Sequence, residues 1–168
     1  EITLPVSPER FRDVTLRELA DTTGIQPTMS WRIEGHPFDA ERSLLYIADQ
    51  AALDMIAANA QQGWERPIYF ASTVARDSEL DLAPFFQDEG LARRVLPFRT
   101  EAGPDGRVVP EISMRRFANY QFRGLADSTV YYDENARNMG DTYRRVLAGA
   151  ATQMAEQGHT DEARALLQ

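Results

Sequence analysis

Residues 63–71 read Gly-Trp-Glu-Arg-Pro-Ile-Tyr-Phe-Ala, a turn that runs into a short apolar stretch of β-forming side chains. Pro67 cannot donate to a sheet ladder, so it fits the first position of a strand, and Arg66 before it is biased toward an extended backbone. The residues that follow lack polar alternation, which is typical of a strand covered on both faces. We therefore predict a central strand over 67–71, with Ile68, Tyr69 and Phe70 in the core.

A second apolar run lies at residues 43–48, and a helical pattern follows it directly. Asp49 is a suitable N-cap for a helix over 50–62, and Gly63 is a suitable C-terminal stop. A strand, a helix and a second strand in this order predict a β-α-β unit with parallel strands and a right-handed crossover. The predicted fold class is α/β, a small and mostly parallel sheet with this β-α-β core around strand 67–71.

Weaker patterns flank this unit. A partial apolar face predicts a helix from residue 8 to about residue 20, and alternation over 30–34 predicts a half-buried strand. A short helix over 82–87 is expected to carry Phe85 and Phe86 into the core. Residues 91–98 are predicted to form a further strand, placed toward a sheet edge because Arg93 and Arg94 interrupt it.

The C-terminal part of the chain is predicted to be helical, apart from a β-prone segment over 129–132. Helices are expected over 110–121 and 134–157, the second capped by Asp133 and ended by Gly158, and a last helix over 161–168 capped by Thr160. This ending resembles a tetratricopeptide-type repeat. We therefore predict two parts, an α/β domain over 1–132 and a tetratricopeptide-like helical hairpin over 133–168 that packs on it.

Composition excludes several classes of function. The net charge is −8, which disfavours non-specific binding to nucleic acid or to an anionic membrane surface. The sequence contains no Lys and no Cys, which excludes lysine and cysteine nucleophiles, disulfides and thiolate metal sites. No stretch reaches the roughly 20 apolar residues of a membrane helix, so no direct membrane insertion by this chain is expected.

The best candidates for a binding site are Trp64, Glu65 and Arg66, at the entrance of the predicted central strand. They could form an aromatic platform flanked by a carboxylate and a guanidinium; the alternative is that Trp64 covers the edge of the core. His36 and His159 are expected to be solvated loop residues rather than metal ligands. No catalytic residue, metal site or cofactor is predicted. Asp49 with Asp54, and Asp88 with Glu89, could each form a carboxylate pair, but chance juxtaposition explains them better.

Two motifs carry a resemblance to a known family. Residues 66–71 match the motif RPIYFA without a departure, and residues 89–97 resemble EGLAYRLVP, with Arg93 in place of Tyr and Val95-Leu96 in place of Leu-Val. The chain resembles the soluble C-terminal region of bacterial multi-spanning membrane proteins of unknown function that are similar to protein O-mannosyltransferases. The resemblance implies an extracytoplasmic, periplasmic location and a glycosyltransferase-like parent protein whose catalytic loop lies outside this chain.

Three hypotheses follow from these observations. The first is a non-catalytic accessory domain that partners the parent transmembrane region and docks an acceptor protein or glycan, or helps to assemble the complex. The second is an independent adaptor of tetratricopeptide type, and the third is a carbohydrate-active hydrolase that uses paired carboxylates. The chain begins at Glu1 without an initiator Met and stops at Gln168 within a helical pattern, so we expect it to be a piece of a longer protein.

Overall fold

A computed structural model describes residues 1–7, 25–37, 43–100, 106–124 and 127–167. The described chain has a mixed α/β fold of small sheets and four α-helices. The strands are β1 (Ile2–Pro5), β2 (Thr28–Trp31), β3 (His36–Pro37), β4 (Ser43–Leu44), β5 (Tyr69–Ala71), β6 (Phe86–Asp88), β7 (Ala92–Val95) and β8 (Arg107–Val108). The helices are α1 (Ile47–Gln61), α2 (Pro110–Phe117), α3 (Glu134–Glu156) and α4 (Thr160–Leu166).

The first sheet is an antiparallel pair of β1 and β2, in which Ile2 faces Trp31. The strand expected at 30–34 therefore lies slightly earlier in the chain. Met29 and Trp31 are buried, and the Trp31 indole N–H donates to the Leu80 carbonyl oxygen at 2.8 Å. The helix predicted over 8–20 lies outside the described residues.

Helix α1 begins at Ile47, earlier than predicted, because Asp49 caps it from inside the first turn. The Asp49 carboxylate accepts a hydrogen bond from the Tyr46 backbone N–H at 2.8 Å, which is half of a capping box. Gly63 follows the helix with φ of +79°, a left-handed conformation that suits glycine. The C-terminal stop at Gly63 is therefore confirmed.

The predicted parallel β-α-β unit is not observed. Strand β4 pairs antiparallel with β3 in a separate two-stranded sheet, while β5 pairs antiparallel with β7. Pairing with β3 closes a shorter loop than pairing with β5 across a helix, and so costs less chain entropy.

Strand β5 is also an edge strand rather than the predicted centre of the sheet. The larger sheet has the order β5-β7-β6-β8, so within the described chain β5 is paired on one side. Tyr69 is 40% exposed and Ala71 is exposed, whereas Phe70 packs on the core with its ring centroid 5.4 Å from that of Phe86. Only one face of this apolar run is therefore covered, and a two-sided strand was the wrong interpretation for Tyr69.

The interior position is taken by β7, which was predicted to lie near an edge. It pairs antiparallel with both β5 and β6, and β6 in turn pairs in parallel with β8. Arg93 and Arg94 are buried in this strand, because acidic side chains from other elements pair with them. The predicted helix at 82–87 is a single 3-10 turn, Ala83–Phe85, that leads into β6.

The core consists of two clusters of buried side chains. Phe85 and Phe86 are 2% and 0% exposed and lie in the larger cluster, with Ile68 and Phe70 partly buried against it. The smaller cluster joins strand β8 to helices α3 and α4 and contains Val108, Ala151, Met154 and Ala163. Strand β8 and the two terminal helices therefore share one small core.

The C-terminal helices largely follow the prediction. Asp133 caps α3 by accepting a hydrogen bond from the Ala136 backbone N–H at 2.8 Å, and Gly158 has φ of +91° between α3 and α4. His159, rather than Thr160, occupies the N-cap position of α4. Residues 129–132 form no strand: the chain turns at 128–130, where the Thr129 backbone N–H and hydroxyl both donate to the Asp127 carboxylate, and 131–132 are irregular.

Candidate functional site

A buried carboxylate, Glu89, connects the larger sheet to helix α2. Its side chain is 2% exposed and accepts hydrogen bonds from the Arg116 guanidinium, at 2.8 Å from Nη2 and 3.2 Å from Nε. The Gln87 amide donates to it at 3.0 Å, and the Arg94 guanidinium lies 3.8 Å away. A buried charge is tolerated only when it is paired in this way, so Glu89 fixes α2 and β7 relative to each other.

Tyr69 is the exposed end of this cluster. Its phenol donates to Glu89 Oε2 at 3.2 Å. Partial burial raises the pKa of Tyr69, and the negative charge of Glu89 raises it further, because both disfavour the phenolate. The phenol therefore stays protonated and acts as a hydrogen-bond donor.

A second buried pair lies on the neighbouring residue of β7. Arg93 forms an ion pair with Glu79, and their side chains are 8% and 4% exposed. The Arg93 guanidinium carbon also lies 5.3 Å from the centroid of the Phe86 ring, in a cation–π contact. These two residues form the floor of a cleft.

The cleft, which we call the α3 groove, lies between the loop after β5 and helix α3. One wall is the loop after β5, residues 72–76, and the other is a face of α3 from Thr142 to Glu156; Glu79, Asp88 and Arg93 lie between the walls. Its volume is about 750 Å³, within the range of ligand-binding pockets. The α3 residues that line it recur every three or four positions, so they share one side of the helix.

The predicted binding residues lie elsewhere, at the end of α1. Trp64 is 3% exposed, and its indole N–H donates to the Pro5 carbonyl oxygen at 3.0 Å. This burial agrees with the alternative in which Trp64 covers the core, and it leaves no open indole face for stacking. Glu65 and Arg66 are exposed, and the Arg66 backbone is held by the Asn59 amide at 2.7 and 3.1 Å.

The two histidines differ in environment. His36 is buried, contrary to expectation, and its Nε2 lies 2.9 Å from the Asp49 carboxylate. His159 is partly exposed, with Nδ1 3.5 Å from Glu162. Within the described ranges no group of three or more His, Asp or Glu side chains is arranged to hold a metal ion.

Sequence reasoning missed the buried ion pairs and the groove. A signal was present: two consecutive arginines in an otherwise apolar, strand-like run require acidic partners if that run is interior. The partners could not be read from the sequence, because Glu79 is separated from β7 by a 3-10 turn and by strand β6, and many other carboxylates are equally near along the chain.

This architecture is that of a mixed α/β domain whose sheet and helices are joined by buried ion pairs, and a protein-family model matches residues 1–112. The chain belongs to the family described as TMEM260-associated domain 2. No curated protein and no solved structure shows significant similarity to it. None of the helices in the described part of the chain is long and apolar enough to cross a membrane.

Proposed function

We propose that this chain is a non-catalytic accessory domain of a TMEM260-like membrane protein, in which it docks an acceptor protein or helps to assemble the complex. The observation that carries this proposal is the family match over residues 1–112, which associates the domain with a membrane protein. The O-mannosyltransferase-like character of the parent and an extracytoplasmic, periplasmic location are parts of the same proposal, and rest on the motifs at 66–71 and 89–97.

The buried ionic groups support a structural rather than a catalytic use of the acidic side chains. Glu89 receives donors from three elements, β6, β5 and α2, and Glu79 is paired with Arg93. Buried charges in proteins are paired in this way to offset their loss of hydration.

As part of this proposal, the chain consists of an α/β domain over 1–132 and a helical hairpin over 133–168. The hairpin of α3 and α4 packs on β8 through Val108, Ala151 and Met154, so it would act together with the α/β part. The resemblance of the sequence over 134–168 to a tetratricopeptide-type repeat is the reason for the second candidate, an independent adaptor that binds partners without the membrane region.

The test uses the full-length membrane protein in liposomes, with residues 1–168 replaced by a Gly/Ser linker of similar reach. We expect transfer to a short synthetic peptide acceptor to persist, and transfer to a folded protein acceptor to fall strongly, because only the second needs docking. Equal transfer to both acceptors after the replacement would contradict a docking role.

The isolated chain provides the complementary measurement. Incubated with a lipid-linked sugar donor and with a panel of glycosides, it should transfer no sugar and hydrolyse no glycoside. Hydrolysis that is lost in a Glu79→Gln variant that still folds would favour the carbohydrate-active hydrolase instead. Stable association with partners in the absence of the membrane region would favour the adaptor.

A further inference from the structure

The α3 groove has the length of a short extended peptide. Its helical wall runs from Thr142 to Glu156, which at ~1.5 Å per residue is about 21 Å. An extended chain rises ~3.3 Å per residue, so about six residues span this distance.

The hydroxyl groups on the helical wall are oriented as acceptors. Thr142 and Thr152 each donate to the carbonyl oxygen four residues earlier, at 3.0 and 2.9 Å. Their single hydroxyl protons are thereby used, so what they can offer a ligand is a lone pair. Gln153, between them on the same face, carries both a donor and an acceptor. Backbone N–H groups of a peptide would find acceptors on this wall, and its carbonyl oxygens would find donors on Gln153 and Arg145.

The charges that line the groove balance. The basic side chains are Arg76, Arg93 and Arg145, and the acidic ones are Glu79, Asp88 and Glu156. A ligand with a strong net charge of either sign would meet as much repulsion as attraction. The groove therefore fits a ligand whose net charge is close to zero.

The other lining groups favour a peptide over a sugar. Val74, Ala75 and Val146 provide small apolar patches that suit the side chains of a peptide. Among the lining residues that the structure describes, none is aromatic, so there is no ring on which a sugar face could stack.

We propose that the α3 groove binds an extended polypeptide segment of about six residues with a net charge near zero. This inference deepens the docking role and rests on it for its biological meaning, since the segment would belong to the protein that the domain docks. The groove residues lie in the loop after β5 and on α3, away from Glu65 and Arg66.

Gly149 allows a direct test. It lines the groove, and a Cβ built there meets no described atom within 4 Å outside its own helix. A Gly149→Gln side chain would therefore occupy the groove without disturbing the fold. Gly140 is the matched control: it lies on the same helix, its Cβ also meets nothing within 4 Å, and at nine residues away it is on the opposite side. Both substitutions improve helix propensity equally, so they should raise the melting temperature by similar amounts.

The probe is a phage-displayed library of random peptides about twelve residues long, long enough to cross the groove, selected on the 168-residue chain. The affinity of selected peptides is then measured by calorimetry. We expect selected peptides with little net charge, and we expect Gly149→Gln to weaken them roughly tenfold or more while Gly140→Gln leaves the affinity unchanged. NMR shift changes should fall on residues 72–76 and on the Thr142 face of α3.

Three results would overturn the proposal. One is that selection yields no binding peptide. Another is that Gly149→Gln binds the selected peptides as well as the unmodified chain does. The third is binding on a glycan array that Gly149→Gln abolishes, which would assign the groove to a sugar. All three results come from binding measurements on the isolated chain. The docking role is tested separately by transfer in liposomes, so a failure of this inference does not contradict the docking role.

Discussion

The Arg116 guanidinium lies 2.8 Å from the Glu89 carboxylate and joins helix α2 to the sheet end that carries the second family motif. Glu89 is almost completely buried, whereas Arg116 is 41% exposed. The Arg116 guanidinium therefore keeps part of its hydration, whereas the Glu89 carboxylate has lost almost all of its own. The stability of the domain should depend on the anion more than on any surface pair.

Replacing Glu89 by Ala should destabilise the domain by about 3 kcal/mol, because it leaves the buried Arg94 beside an empty site. The measurement is urea unfolding followed by circular dichroism. The matched control is Asp141→Ala, which removes an exposed pair with Arg144 at 2.8 Å and should change the free energy of unfolding by less than about 0.5 kcal/mol. If the two substitutions lowered the free energy of unfolding equally, the buried Glu89 would contribute no more to stability than an exposed ion pair.

Gly90, the next residue of the motif, should not tolerate a side chain. Its φ is +95°, and a Cβ there would lie 2.5 Å from the Tyr120 hydroxyl, which itself accepts a hydrogen bond from the Leu91 backbone N–H. We expect Gly90→Ala to lower the free energy of unfolding by about 1–3 kcal/mol. Gly140→Ala, made in open space on α3, should raise it. A Gly90→Ala protein as stable as the unmodified chain would contradict this packing of Tyr120.

Trp64 and its two neighbours should behave differently on substitution. Trp64→Ala removes a buried indole and its bond to Pro5, and should cost about 3–5 kcal/mol. The double substitution of Glu65 and Arg66 by Ala should stay within about 0.5 kcal/mol, because both side chains are exposed. Melting temperature measured beside full-length activity separates the roles: lower activity of the stable double variant would support a binding role for Glu65 and Arg66.

The domain should lose stability at alkaline pH through its tyrosines. The chain has no Lys and no Cys, so tyrosine is the side chain that titrates near pH 10. Burial raises the pKa of Tyr69 and of Tyr120 above the ordinary value of 10.0. Their contribution is fully present below pH 10, where folded and unfolded forms are both protonated. It is lost as pH rises through the higher folded-state pKa, because the unfolded chain ionises first.

Urea midpoints measured from about pH 8 to about pH 11 should therefore fall at the alkaline end. Tyr69→Phe should make this fall shallower. The substitution also removes the hydrogen bond to Glu89, and the difference between the urea midpoints of the variant and the unmodified chain at neutral pH measures that separate effect. A profile that is as steep in Tyr69→Phe and in Tyr120→Phe as in the unmodified chain would contradict the assignment.

Helix α4 should be held through Ala163 and Leu166, which both pack on the small cluster, and not through Leu167. Ala163 is 6% exposed and packs beside Ala151 and Met154, whereas Leu167 is 63% exposed. We expect Ala163→Asp to release α4, expose this cluster and promote self-association, as seen by light scattering. Ala165→Asp is the control on the exposed side of the same helix and should stay monomeric.

The sequence by itself determined the local features of this protein. The ends of α1 and α3 follow from Gly63, Asp133 and Gly158, because capping and left-handed glycine conformations depend on a few neighbouring residues. The burial of Phe85 and Phe86 follows from their apolar character. The motifs at 66–71 and 89–97 indicated a family resemblance, and the family match over residues 1–112 agrees with an association with a membrane protein.

Only the tertiary structure decided the strand order and the position of the charges. Nothing local distinguishes an edge from an interior strand in the run at 67–71, because pairing depends on partners many residues away. Arg93 and Arg94 looked like edge residues, yet Glu79 and Glu89 reach them from neighbouring turns and stabilise them inside the sheet. The α3 groove is likewise formed by a loop and a helix about seventy residues apart, which come together because β8, α3 and α4 share one small core.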